Sequence, residues 1–221
     1  MSRKLSKYKF KRIATESFKN GLRLHFDSIL LYKNNSFPSS FQLSVLAMEE
    51  LAKSYWVEHY YWSSNTNNNW PDENFEQEWL KLLYLHPEKQ RAFFGWGWAY
   101  DYSPKFVEFV EKKQLELKKQ RATYVGLDRN KGKIDVSSRI SVPTRIKNRD
   151  AKQMISMLND FLIESCETKL LQEFYFDIEE KDELLNKRLL TRLKKWRFRS
   201  GIKSKQWYKE WTKKAITNQD K

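Results

Sequence analysis

Between Phe41 and Tyr55 the chain is apolar on nearly every side of a helix, yet it carries Glu49, Glu50 and Lys53. Projected at the helical period, Phe41, Val45, Met48, Ala52 and Tyr55 form one apolar stripe, and Leu43, Ala47 and Leu51 cover much of the remainder. That is the pattern of a helix enclosed by other elements. The three charges share the remaining arc of roughly 100°, with Glu49 and Lys53 at the i,i+4 spacing that permits an ion pair. Charge in such a place must be paired, hydrogen-bonded or neutralised. It serves either as an internal clamp that fixes helix register or as a polar centre with a function.

The flanking sequence continues the helical theme. A first helix is expected from about Phe10 to Lys33, ended by Asn34-Asn35-Ser36-Phe37-Pro38. The charged helix follows from near Pro38, with Ser39 or Ser40 as candidate caps, and stops before the Asn-rich loop Ser63 to Asn69. Asp72 after Pro71 opens a third helix through Trp79, Leu82 and Leu83, which His86-Pro87 interrupts or restarts. Ser103-Pro104, a cap followed by proline at the first helical position, opens a fourth carrying Phe106, Val107, Phe109 and Val110. Residues 122–146 turn β-branched and Gly/Asp-punctuated, which predicts a long ordered loop or small hairpin. A helix from about Asn148 to Phe176 comes next, with Ala151, Ile155, Leu158, Leu162 and Cys166 at core spacing, and then a basic helix from Glu179 through Leu193. The expected fold is an all-α helical bundle over residues 1–180, with a basic, aromatic helical extension over 181–221.

Charge placement adds a partner class. The formal charge of +14 on 221 residues is concentrated at the two ends. Residues 1–23 hold eight Lys/Arg against Glu16, and residues 181–221 hold fourteen against four acids, so the middle of the chain is slightly acidic. A near-neutral body with basic ends suits a polyanion, most simply RNA or DNA. In the extension, Lys194, Lys195, Arg197 and Arg199 interleave with Trp196 and Phe198, and Trp207 and Trp211 follow among further lysines. Cations neutralise phosphates and exposed rings stack on bases, or the same rings dock a terminal helix onto the bundle. Lys194, Lys195, Arg197, Arg199, Trp207 and Trp211 are the candidate nucleic-acid contacts.

Several chemistries lack their anchors. There is no Gly-rich phosphate loop, no Cys/His metal spacing and no serine nucleophile elbow, so neither cofactor nor metal is expected. Cys166 is the single cysteine, no signal-peptide pattern opens the chain and no apolar run spans a bilayer, so the expected location is the cytoplasm, away from the membrane. An imidazole acid–base catalyst must be His25, His59 or His86. Of these, His25 and His59 read as structural, whereas the Pro87 break exposes His86 and brings Lys89 three residues on. The candidate catalytic set is therefore Glu49, Glu50, Lys53, His86 and Lys89.

In order along the chain, Asn20-Gly21-Leu22-Arg23-Leu24-His25-Phe26-Asp27-Ser28, Ala47-Met48-Glu49-Glu50-Leu51-Ala52-Lys53, His86-Pro87-Glu88-Lys89 and Tyr124-Val125-Gly126-Leu127-Asp128 resemble the AbiV family of bacterial abortive-infection proteins, whose helical domain is related to the HEPN superfamily. Ala52 replaces the family's usual Gly, and residues 181–221 fall largely outside the likeness. The resemblance implies a helical bundle that acts in phage defence as a homodimer and arrests growth of the infected cell. Many HEPN relatives are ribonucleases that use an Arg separated from a following His by four to six residues, commonly across a dimer interface. This chain lacks that motif; Lys53 before His59 and Lys81 before His86 approximate it, and Lys is not an equivalent phosphate fork. Two expectations follow: an effector, with or without ribonuclease activity, that acts on RNA or the translation machinery and is triggered by a phage protein, or a non-catalytic helical module that recognises a phage protein or nucleic acid and blocks it sterically.

Overall fold

The computed structural model describes residues 4–95, 101–127, 129–130, 133–172, 178–206 and 209. Its first two helices are long and close-packed. Helix α1 (Lys7–Lys33) is capped by Ser6, whose hydroxyl accepts from Lys9 N, and α2 (Phe37–Thr66) follows after a three-residue turn. The α2 cap is Ser36, earlier than Ser39 or Ser40, because Pro38 fits the first turn, where no intrahelical N–H is needed. Ser40 Oγ donates instead to Ser28 O across the pair, and Ser54 Oγ to Ala14 O, which fixes an antiparallel register. Gly21 lets the backbones meet: a Cβ there would lie 2.8 Å from Leu51 Cγ and 3.3 Å from Ala47 O. Helix α2 also runs on through Ser63 to Thr66, past its expected end, and stops where Asn68 turns left-handed.

Helices α3 (Glu73–Leu82) and α4 (His86–Gly95) lie over this pair, with Asp72 capping α3 through Phe75 N. Helix α5 (Pro104–Glu111) is followed by Lys113 at φ 58°, and this left-handed residue starts a separate helix, α6 (Gln114–Arg121). The 122–146 region contains β1 (Arg129–Asn130) paired antiparallel with β2 (Lys133–Ile134), backed by a Gly126–Ser141 bridge. Helix α7 (Asn148–Gln172) supplies Met154, Met157, Leu158, Phe161 and Leu162 to the main core, against Met48, Leu51 and Tyr55 of α2 and Phe93 of α4. Its expected end at Phe176 lies outside the described residues. A second apolar cluster at the far end of α1 and α2 is aromatic: Phe10, Tyr60, Tyr61 and Trp79, with Tyr60 stacked on Trp79.

The basic helix expected from Glu179 is split into α8 (Glu179–Asp182) and α9 (Lys187–Leu193), because Asn186 caps a fresh start through Leu189 N. Leu185, Leu189 and Leu193 belong to the main core. Beyond α9, Trp196 Nε1 donates to Ser156 Oγ and its ring packs on Tyr32, while Lys203 pairs with Tyr102 in a β-bridge. The described part of the extension is thus packed against the bundle. No helix among the described residues is long and apolar enough to cross a membrane.

Candidate functional site

Glu49 projects from the middle of α2 and is 1% exposed. Helix α4 approaches it with His86, Lys89 and Gln90, which share one face by their i, i+3, i+4 spacing. His86 Nδ1 lies 2.5 Å from Glu49 Oε2, Gln90 Nε2 donates to Glu49 Oε1 at 2.8 Å, and Lys89 Nζ stands 3.9 Å from Oε2. From the other side, Lys119 of α6 donates to Glu49 Oε1 at 2.8 Å and pairs with Glu116 at 2.7 Å. Gln90 Nε2 also donates to Glu116, at 2.8 Å, and its buried Oε1 has no hydrogen-bond partner among the described residues. Pro87 in the first turn of α4 and the left-handed Lys113 before α6 are the local features that bring these faces together.

The surroundings of Glu49 fix its charge. Burial pushes the Glu49 carboxyl up, but hydrogen bonds from His86, Gln90 and Lys119, together with the Lys119 charge, outweigh it and hold the pKa below the ordinary carboxylate value. An ionised carboxylate only accepts, so His86 Nδ1 carries the proton of the shared hydrogen bond. In the neutral ring Nε2 is then the basic nitrogen, on a side chain 48% exposed. This is a sealed carboxylate orienting a solvent-reachable imidazole, the geometry of an acid–base dyad. Burial also lowers the Lys89 pKa, against the opposing pull of Glu49 and Glu50. Among the described residues its ammonium makes no hydrogen bond, although the residue is 7% exposed.

Lys53 pairs with Glu50, not with Glu49, at 2.8 Å, and Glu50 also accepts from Asn20 Nδ2 at 3.2 Å. The expected i,i+4 pair gives way because α4 and α6 take every position around the Glu49 carboxylate. Glu50, Lys53 and Asn20 line a cleft of about 300 Å³ together with Leu83 and Tyr84, just before His86. All five candidate catalytic residues therefore gather around one stretch of α2, in two adjacent clusters. Gln90, Glu116 and Lys119 were missed by sequence reasoning. Gln90 falls one turn after His86, and Glu116 and Lys119 stand at i,i+3, but the α6 helix they sit on was not anticipated.

Glu49, His86 and Glu116 offer ligand atoms within 4.8 Å of one another, a spacing that could suit a metal ion. Their surroundings fit one poorly. Lys119 already bridges the two carboxylates, and with Lys89 it balances their charge, so a divalent ion would have to expel an ammonium.

The other histidines are held in the body. His25 is fully buried against Asn159 at 3.3 Å, and burial drives its pKa down to about 4. His59 is exposed but lies beside Trp62, and partial burial lowers its pKa. In the extension, Lys194, Lys195, Arg197 and Arg199 are exposed, with Lys194 3.0 Å from Glu167. Trp207 and Trp211 lie outside the described residues. Lys203, by contrast, is buried over the Tyr102 ring.

No curated protein and no solved structure matches the chain. The AbiV model of the HEPN class, HEPN_AbiV, matches residues 9–164, which include most of α1, all of α2 to α6, the hairpin and most of α7, and hence every residue around Glu49. The chain belongs to the AbiV family, whose HEPN-like helical domain serves abortive infection in phage defence.

Proposed function

We propose that this protein arrests the infected cell by acting on RNA or the translation machinery, with Glu49 and His86 as an acid–base pair and Lys89 as the cation that receives a phosphate. The observation that carries this reading is the 2.5 Å contact between a buried carboxylate and a half-exposed imidazole. In an RNA phosphodiester, His86 Nε2 takes the proton of the 2′-hydroxyl, whose oxygen attacks phosphorus. The bond to the 5′-oxygen breaks, and the imidazolium returns the proton to it, leaving a 2′,3′-cyclic phosphate and a 5′-hydroxyl. Glu49 stabilises the imidazolium between these transfers, and Lys89 offers its free N–H donors to a non-bridging oxygen. A phage-encoded protein is the proposed trigger, and a homodimer the proposed assembly.

A second reading has its own support. Glu49 ties α2 to α4 and α6 through His86, Gln90 and Lys119, as a purely structural clamp would, and the bundle would then block a phage protein or nucleic acid sterically. Purified protein incubated with total cellular RNA, with and without phage lysate, separates the two. Discrete new fragments that disappear in Glu49→Gln and His86→Ala support the dyad. Protection against phage without any cleavage, retained in both variants, supports the blocking module.

A further inference from the structure

Where α2 ends over α3, a second cleft of about 320 Å³ opens, separate from the Glu49 centre. Its walls are flat rings, Trp56, Phe75 and Trp79, and its rim carries Asn67 and Asn69. The turn at Asn68, with φ 46°, places these two amides, and neither side chain hydrogen-bonds to a described residue. Tyr60 also lines the cleft. It is 8% exposed, and its buried hydroxyl has no hydrogen-bond partner among the described residues. The nearby acids are already engaged, Asp72 with Phe75 N and Glu76 with Leu5 N.

None of the residues lining this cleft is formally charged, since partial burial favours neutral His59. A phosphate or carboxylate would find no counterion inside. A flat, neutral ring with mixed donors and acceptors on its edge would find stacking faces, two-way amides and a waiting hydroxyl. Cations stand outside it: Lys7 lies over Trp70 and Lys11 over Tyr61, on the neighbouring aromatic cluster. Trp56 and Tyr60 follow Glu49 on α2 by about 10 and 17 Å of helix axis. One short single strand can therefore reach both places.

We propose that this cleft binds a nucleobase, stacked against Trp56 and Phe75 and hydrogen-bonded by Asn67, Asn69 and the Tyr60 hydroxyl. The inference rests on the RNA reading above for the source of the base. It differs from that reading in needing no cleavage.

The test is calorimetric binding to the full chain of adenosine and uridine monophosphates and of 2′-O-methylated hexaadenylate and hexauridylate, which present bases but cannot undergo 2′-hydroxyl attack. Phe75→Ala, on an exposed side chain, is expected to weaken hexamer binding about tenfold. Tyr60→Phe is expected to weaken it a few-fold while keeping or raising the melting temperature, since it removes an unpaired buried hydroxyl. If Phe75→Ala acts as expected but total RNA is never cut, only the cleavage reading falls. Monophosphates binding while hexamers do not would keep the site and make a free nucleotide its ligand. Hexamers that bind Phe75→Ala and Tyr60→Phe as tightly as the parent chain, or no binding of any probe, would overturn the proposal.

Discussion

Helix α2 buries two carboxylates nine residues apart, and the two are partnered in opposite ways. Glu58 meets Lys181 of α8 in a short hydrogen bond, and that ammonium is fully enclosed, 3.6 Å from the centre of the Tyr55 ring and 5.5 Å from that of Phe18. Both ends of the pair are sealed, so it can only hold α8 onto the bundle. Glu49 is as deeply buried, but one of its partners, His86, reaches solvent and another, Lys89, makes no hydrogen bond among the described residues. Burial of a charge therefore does not separate a clamp from a site. Access through the partner does.

The largest effect is expected at the sealed pair. Lys181→Met removes the cation of the sealed pair and should cost about 3–5 kcal/mol in urea unfolding, much of it recovered by adding Glu58→Leu. At the open pair, Glu49→Gln keeps the volume and a hydrogen-bonding amide. It should cost less stability than Lys181→Met while lowering any RNA cleavage about a hundredfold or more. If Glu49→Gln destabilises the protein as strongly as Lys181→Met and phage protection survives, both carboxylates are clamps and the contrast disappears.

Desolvated titrating groups outside the two clefts described above should act on stability alone. His25, desolvated and further opposed by Arg192, has its pKa lowered to about 4, with only the Asn159 hydrogen bond pulling upward. The unfolded chain takes up its proton near pH 6.5, so His25 costs nothing above that value and destabilises the fold as pH falls toward about 4. Asp160 has the opposite sign: desolvation raises its pKa to about 7 against Lys203 and Arg199, so it costs stability as pH rises from the ordinary carboxylate range to 7. Melting temperatures of His25→Asn should fall less steeply on acidification than those of the parent chain, and Asp160→Asn should fall more steeply. Glu49, with its lowered pKa, adds its own loss only at lower pH, as the pH drops through its folded value. A pH profile unchanged by His25→Asn would show that its burial is relieved in solution.

The smallest effect belongs to the surface. Lys194 and Glu167 are both well exposed, so Lys194→Ala should shift stability by less than about 1 kcal/mol. Neutralising Lys194, Lys195, Arg197 and Arg199 together should leave the fold intact and flatten the salt dependence of RNA binding by roughly 0.7 per lost phosphate contact. An unchanged slope would remove the extension from the RNA surface.

Much of the fold was legible because its signals are local. The apolar spacing of α1 and α2, the Asp72 cap and the Ser103-Pro104 start each act within one or two turns, and each has its counterpart in the structure. The misreadings fall where a local rule meets a packed neighbour. Lys53 is at the right spacing for Glu49, yet helices α4 and α6 supply closer partners and Lys53 turns to Glu50. Helix α6 escaped notice because its polar, lysine-rich residues carry little apolar periodicity; it is held by Leu115 and by the Lys119 contacts.

From its residues alone, the chain determines a helical bundle, a charged centre on α2 and basic ends, since periodicity, capping and net charge are properties of neighbouring residues. The likeness of four short segments to one family is read the same way, in one dimension. Tertiary structure alone decides which charge meets which. His86 and Lys119 lie 37 and 70 residues from Glu49 along the chain, and only the packing of α4 and α6 against α2 brings them within hydrogen-bond reach. It also decides that Glu58 is sealed while the Glu49 centre stays open, because desolvation depends on everything that surrounds a group and not on its neighbours in sequence.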